Sequence, residues 1–146
     1  MEQQWAQPHR EQLTLFTTLH NLAAPPESAT VTCRFGYVPA SPYCVRLDLA
    51  SFPDDHVTWV IGRDLLLAGT EKLSGDGDVK IWPSRQRGNT PSLYLRLERP
   101  YVTAMFATEL DPIRQWLMET YIAVPAGRES LLVDWDALAA SRRPPT

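Results

Sequence analysis

The 146-residue chain has few of the residues that build disulfide frameworks, metal centres or nucleophilic active sites. Its two cysteines, Cys33 and Cys44, lack metal-ligand spacing, and we expect both to be buried thiols in a reducing cytosol. No serine has the flanking glycines of a nucleophile elbow, and no histidine neighbours either cysteine. The three histidines stand far apart, at His9, His20 and His56. These absences favour a protein that is not an enzyme and uses no cofactor.

Strong charge and long apolar runs are also missing. The formal net charge is −3 and the isoelectric point is about 5.6, whereas nucleic-acid-binding proteins usually present a basic face. No window approaches the roughly 20 apolar residues that a membrane-spanning helix needs. The first residues lack the basic start and apolar run of a signal peptide. We therefore expect a cytoplasmic, soluble protein, and the charge balance argues against nucleic-acid binding.

The length of the chain predicts a single domain with one core. Residues 1–12 are polar and show no periodicity, so we interpret them as a flexible extension, unless Trp5 docks on a neighbour. The domain itself is predicted over residues 13–140. Residues 141–146 form a C-terminal tail.

Alternating apolar residues predict four strands in the first half of the chain. A short helix should follow from Arg63 to Ala68, with Gly69 ending it in the left-handed conformation. Gly36 should end the second strand. The strands are expected at 12–20, Val31–Phe35, Tyr43–Leu49 and Val57–Ile61.

The second half repeats this plan. Strands are predicted at 78–82, with Pro83 as the stop, then over Leu93–Leu97 and 101–107. Asp111 should cap a helix that runs to about residue 122. The residues after it suggest a short strand at Leu131–Val133 and a last helical turn to Ala140, capped by Asp134 or Asp136. The pattern predicts an α+β domain of mostly antiparallel sheet.

Three aspartates near the middle of the chain resemble a metal site at first sight. Asp64 falls in the first turn of the predicted helix, where a carboxylate is stabilised by free amides. Asp76 and Asp78 lie in a Ser-Gly-Asp-Gly-Asp turn. Their spacing lacks the ligand loop and final Glu of a calcium site, and Gly75-x-Gly77 lacks the residues of a phosphate loop. We therefore interpret them as turn and cap residues and predict no metal site.

Tryptophan is the residue type that points most directly to binding. Trp59 and Trp116 lie on apolar faces of their predicted elements, which favours core packing. Trp82 ends a strand just before Pro83, where its ring could face a partner chain. The neighbouring Arg85 and Arg87 would add two guanidinium groups. We take Trp82, Arg85 and Arg87 as the candidate partner-binding residues.

Three stretches of the sequence, rich in Trp, Gly and Pro, form one ordered pattern. The stretches are Trp59-Val60-x-x-Arg63-Asp64-Leu65-Leu66 with Gly69 and Gly75-x-Gly77-Asp78-Val79-x-x-Trp82-Pro83-Ser84, then Tyr37-x-Pro39-x-x-Pro42-Tyr43-x-Val45, and Val124-Pro125-x-Gly127-x-Glu129 with Asp134 and Asp136. Together they resemble the SsgA-like family of actinobacterial sporulation and cell-division proteins. Two of the family's acidic positions are replaced here by Val38 and Ser41, while Ile61, Gly62 and Leu73 replace the usual Phe, Ala and Pro.

The resemblance implies a fold and a function. Family members such as SsgB have a Whirly-like fold, with a ββββα unit repeated twice in two antiparallel sheets, and assemble as trimers. They act in septum placement at division sites and recruit or organise FtsZ, the tubulin-like division protein. By this resemblance we expect a non-enzymatic trimer that binds FtsZ and other division proteins. Single-stranded nucleic-acid binding, by analogy with the Whirly fold, is the alternative.

Overall fold

The computed structural model describes residues 12–50, 56–75, 77–85 and 88–133. Residues 1–11 of the predicted extension 1–12, the tail and the turn to Ala140 lie outside these ranges. The described residues form seven antiparallel strands and two α-helices, with single 3-10 turns at Pro26–Ser28 and Glu129–Leu132. In chain order they are β1 (Leu13–Asn21), β2 (Thr30–Tyr37), β3 (Cys44–Ala50), β4 (His56–Gly62), α1 (Arg63–Gly69), β5 (Val79–Ser84), β6 (Ser92–Arg99), β7 (Val102–Glu109) and α2 (Leu110–Ala123).

The strands form one continuous sheet in the order β4-β3-β2-β1-β7-β6-β5. The two halves of the chain join where His20 and Asn21 of β1 pair with Ala107 and Phe106 of β7. This confirms the α+β class. Instead of the two sheets expected, the described strands form one sheet, to which the first half of the chain contributes four strands and the second half three. Pairing β1 with β7 satisfies backbone groups that two separate sheets would leave open at their edges.

Period-two alternation places the core on one face of this sheet. In β3, the inward residues Val45, Leu47 and Leu49 are buried. Helix α2 covers the same face, and its Trp116 ring lies 5.9 Å from that of Phe35. The expected core role of Trp116 is therefore confirmed. Cys33 is buried as expected, but Cys44 is exposed, because the alternation that buries Val45 turns Cys44 outward.

Two predicted strand ends are wrong. Strand β2 continues through Gly36 to Tyr37, since Gly36 pairs with both Thr14 and Arg46. Strand β5 continues through Pro83 to Ser84. Glu98 N donates to Asp78 O across the β5–β6 pair, so the alternating ladder turns the nitrogen of Pro83 away from β6. A proline is tolerated there because β5 is the edge of the sheet.

The reason for glycine at position 69 also differs from the prediction. Gly69 is helical and is not among the residues with positive φ. It lies against β5, where a Cβ at this position would stand 2.5 Å from Ile81 Cβ and closer still to Cγ2. Glycine is therefore needed for close packing of α1 on β5 rather than for a left-handed turn.

The predicted cap of α2 and the last predicted strand need correction as well. Helix α2 begins at Leu110, so Asp111 lies in its first turn and makes no capping hydrogen bond. Its charge still lies near the free amides, which stabilise a carboxylate. The stretch predicted as a strand at Leu131–Val133 belongs largely to the 3-10 turn Glu129–Leu132. This turn forms where Glu129 enters a buried ion pair with Arg63.

Candidate functional site

The predicted partner-binding residue Trp82 lies on the face of the sheet opposite the core. Its neighbour on the same strand, Ile81, points inward and is fully buried. Trp82 pairs with Tyr94 of β6, and the two rings stack with their centroids 5.7 Å apart and their planes 15° from parallel. Both side chains are half-buried. The pair therefore forms a flat aromatic surface at the edge of the sheet.

Positive charges surround this surface. Lys80 and Arg96 form the next residue pair on the same face of the two strands, and Lys72 approaches from the segment that follows α1. Together they line a groove of about 570 Å³. We call it the Trp82 groove; it is formed by Glu71, Lys72, Leu73, Lys80, Trp82, Pro83 and Arg96, with Tyr94 stacked behind Trp82.

Arg85, the second predicted residue, does not line this groove. Arg85 Nη2 donates a hydrogen bond of 3.2 Å to the carbonyl oxygen of Thr70, so this guanidinium fastens the residue after α1 to the end of β5. Arg87 lies outside the described residues. Of the two predicted residues that the structure describes, Trp82 lies among cations in the groove wall, whereas Arg85 is bonded to the backbone outside it.

A second group of residues, which the sequence reasoning did not single out, surrounds the buried side chain of Arg63. Only 1% of Arg63 is exposed. Its Nη2 donates to Glu129 Oε2 at 2.8 Å, and its Nη1 donates to the carbonyl oxygen of Thr120 at 2.9 Å. The guanidinium also lies over the rings of Tyr37 and Tyr121, at 4.9 and 3.8 Å from their centroids. We call these residues the Arg63 cluster.

Hydrogen bonds fix the remaining groups of the Arg63 cluster. The Tyr121 hydroxyl donates to Asp64 Oδ1 at 2.7 Å. Burial is the main cause that raises the pKa of Tyr121, and the Asp64 carboxylate raises it further. Glu129 Oε1 accepts from Gly127 N at 2.9 Å. The pKa of Glu129 is lowered, first by its own backbone amide and then by Arg63. Asp64 thus serves as an acceptor for Tyr121, while α1 has no side-chain cap.

The Arg63 cluster joins the three stretches that carry the family resemblance. Arg63 and Asp64 come from the first stretch, Tyr37 from the second and Glu129 from the third. Both Nη atoms of Arg63 have acceptors, whereas its Nε is buried without a hydrogen-bond partner. None of the groups named above is a nucleophile aimed at open space. The arrangement therefore holds α1 against α2 and the C-terminal turn. Through α1 it also positions residues 70–74, one wall of the Trp82 groove.

Trp59, which the sequence predicts to pack in the core, lies on β4 at the edge of the sheet opposite β5. Its ring packs partly against the core, as expected, and also carries the Arg99 guanidinium at 4.3 Å from its centroid. Arg99 Nη2 reaches the Thr58 carbonyl oxygen at 3.3 Å. A groove of about 750 Å³ separates β4 from β6 and β7 here. This contact closes part of the free edge of β4.

Two further features bear on the classes of function. No group of three or more potential metal-ligating side chains occurs within the described ranges. No helix in this part of the chain is long and apolar enough to cross a membrane.

Known proteins resemble this chain in sequence and in fold. Residues 31–129 match the family described as Streptomyces sporulation and cell division protein, SsgA. The sporulation-specific cell division protein SsgB of Thermobifida fusca is 37% identical over 114 residues, which cover 77% of this chain and 82% of that protein. SsgB of Frankia casuarinae is 38% identical over 112 residues, covering 77% and 75%.

Two solved structures share the fold. The SsgA-like sporulation-specific cell division protein from Thermobifida fusca has a TM-score of 0.76 at 32% identity, covering 90% of this chain and 96% of that one. A structure of SsgB from Streptomyces coelicolor has a TM-score of 0.76 at 29% identity, covering 83% and 94%. Mutations in that SsgB correlate to longitudinal cell division during sporulation.

Proposed function

This chain belongs to the SsgA family of sporulation and cell-division proteins, and from that premise we propose that it is a non-enzymatic protein that helps position the septum and recruits or organises FtsZ. The observation that supports a binding role is the Trp82 groove, where a half-buried, stacked aromatic pair lies among three cations. Tryptophan, tyrosine and arginine, all present here, are the side chains that contribute most of the binding energy at protein interfaces. The groove is the partner-binding site in this proposal, and Trp82, Arg85 and Arg87 remain its predicted partner-binding residues.

The proposed mechanism is multivalent binding by a homotrimer. Three copies of one weak site on a rigid body raise avidity without any new contact, because the second and third binding events are intramolecular. Such a protein would act in the cytoplasm at septum sites. Its mass in solution, measured by light scattering, should be three times that of one chain. A monomeric mass would remove multivalency from the mechanism.

The cellular role is tested by deleting the gene in its host and imaging septa in sporulating cells. The proposal predicts misplaced or missing septa, restored by the wild-type gene but not by a Trp82→Ser variant of equal abundance. A fluorescent fusion should concentrate at septum sites. Normal septa in the deletion strain would contradict the role.

The alternative function, single-stranded nucleic-acid binding, would use the same stacked rings. Its affinity for oligothymidine would fall steeply as salt concentration rises, because phosphate neutralisation releases counterions. Tight binding with such a slope would favour this alternative over FtsZ recruitment.

A further inference from the structure

We infer that the Trp82 groove binds an acidic peptide segment that carries one apolar side chain, and that it does so through side-chain contacts rather than by adding a strand to the sheet. The inference rests on the proposed function for the location of the site. It goes further by naming the chemistry of the partner segment and the residues that recognise it.

The first argument is the charge of the groove. Lys72 and Lys80 form no ion pair within the described residues, whereas Arg96 pairs with Glu98 at 2.7 Å. The one acidic side chain in the groove wall, Glu71, faces Arg114 at 3.6 Å. The groove is therefore locally positive although the whole chain has a net charge of −3. Carboxylates of a partner would meet two unpaired ammonium groups there.

The second argument is the apolar part of the same groove. Leu73 is 64% exposed and lies beside Pro83 and the Trp82 ring in the groove wall. A solvent-exposed leucine next to a half-buried aromatic ring is typical of a surface that binds a partner's apolar side chain. The partner segment thus needs an apolar residue among its acidic ones.

The third argument concerns the backbone of β5, which does not offer a free edge at this point. Ser74 pairs with Ile81, with Ser74 N donating to Ile81 O at 2.9 Å and Ile81 N donating to Ser74 O at 3.0 Å. The next residue that turns toward the edge, Pro83, has no N–H group to donate. A peptide therefore cannot extend the sheet here by β-augmentation, and recognition falls to side chains.

The same features favour a peptide over a nucleic acid. Each ring of the Trp82–Tyr94 pair covers part of the other at a 5.7 Å separation, which reduces the open face that a base would stack on. The cations occupy one short groove flanked by Glu71 and Glu98 rather than a track along which a phosphate backbone could run.

The test is fluorescence anisotropy with a short fluorescein-labelled peptide of Asp and Glu around a central Leu. We expect saturable binding that weakens about fivefold in the Lys80→Glu variant, the size expected for a reversed exposed charge. The matched Arg128→Glu variant, with an exposed arginine on the C-terminal turn, should bind as the wild type does. A peptide with Ser in place of Leu should bind more weakly. Absence of binding, or equal binding by both variants, would overturn the inference.

Two comparisons separate this result from related ones. If labelled oligothymidine bound through Lys80 and the peptide did not, the groove would be a nucleic-acid site and the inference would be wrong. If the full chain sedimented with FtsZ polymers but the peptide did not bind, the proposed function would stand and the inference would fail. Circular dichroism of Lys80→Glu, expected to match the wild type, ensures that lost binding is not lost folding.

Discussion

Replacing Arg63 with alanine should destabilise the protein more than any exposed charge substitution. The guanidinium is 1% exposed, donates to Glu129 and Thr120, and lies over the rings of Tyr37 and Tyr121. Alanine would remove both hydrogen bonds and both ring contacts. It would leave the buried Glu129 carboxylate without its counter-charge and the Thr120 carbonyl with one donor, Val124 N, together with a cavity at the junction of α1 and α2.

The expected magnitude follows from these losses. Breaking a buried ion pair by removing one partner costs about 3–5 kcal/mol, because the remaining charge is uncompensated. For a chain of this length, each kcal/mol lowers the melting temperature by about 2–4 °C. We therefore expect Tm to fall by about 10 °C.

The assay is urea denaturation followed by circular dichroism, with Arg34→Ala as the matched control. Arg34 also pairs with a carboxylate, Asp48, at 2.7 Å, but its side chain is 45% exposed. Its loss should cost less than about 1 kcal/mol, as is usual for exposed pairs. The Arg63 effect should persist in 1 M salt, since buried pairs are screened far less than exposed ones.

A loss below about 1 kcal/mol in Arg63→Ala would refute the reasoning that the cluster fastens the two helices. The double variant Arg63→Met with Glu129→Gln gives a second check. Removing both buried charges should recover part of the stability lost in Arg63→Met alone. Strictly additive losses would show that the two groups are not coupled.

Three further predictions test the packing, the outer face and the thiols. Gly69→Ala should destabilise by about 1–3 kcal/mol in urea because there is no room for its Cβ, while Gly77→Ala, with nothing within 4 Å of the added atom, should cost far less. Although partial burial opposes its ionisation, hydrogen bonds from Thr58 and two arginines lower the pKa of Asp48 from 3.8 to about 2. The stability that ionised Asp48 contributes is therefore present above its unfolded pKa and is lost as pH falls toward 2. Asp48→Asn should remove this dependence of the unfolding free energy on pH, and an unchanged dependence would contradict the prediction. Ellman's reagent should modify Cys44 rapidly in the native protein but Cys33 only on unfolding, since Cys33 is buried with its pKa raised to about 12 by that burial; two fast thiols would contradict the structure.

Local patterns in the sequence were enough to predict the elements of the fold. Alternating apolar residues predicted each of the seven described strands, because a two-residue period decides which side chains face the core. Val45, Leu47 and Leu49 are one example, all buried on β3. The three- and four-residue spacing of Ile113, Trp116 and Leu117 likewise predicted α2, and all three are buried.

Long-range contacts explain what the sequence did not predict. Gly69 suggested a helix stop because glycine is common at the ends of helices. What requires glycine here is instead the side chain of Ile81, which is distant in sequence but packs directly against Gly69. Pro83 suggested a strand end, yet its tolerance depends on β5 being an edge strand. Neither the order of strands nor the β1–β7 pairing is visible in local periodicity.

The candidate site shows the same division. The position of Trp82 just before Pro83 suggested a ring that could face a partner chain. The structure places this ring on the face opposite Ile81, and its binding of a partner stays a prediction. The Arg63 cluster joins residues up to 66 positions apart, and no local pattern brings Arg63 and Glu129 together. Their membership in separate stretches of the family resemblance was the available signal. It identified the residues without indicating that they meet.

Co-sedimentation with FtsZ polymers is the most direct test of the central claim. Purified protein is mixed with FtsZ and GTP, and its pelleted fraction is compared between wild type, Trp82→Ser and Arg128→Glu. Recruitment through the Trp82 groove predicts that wild type and Arg128→Glu pellet with the polymer and that Trp82→Ser remains in the supernatant. Wild-type protein that stays in the supernatant at low salt would contradict direct FtsZ binding by this chain.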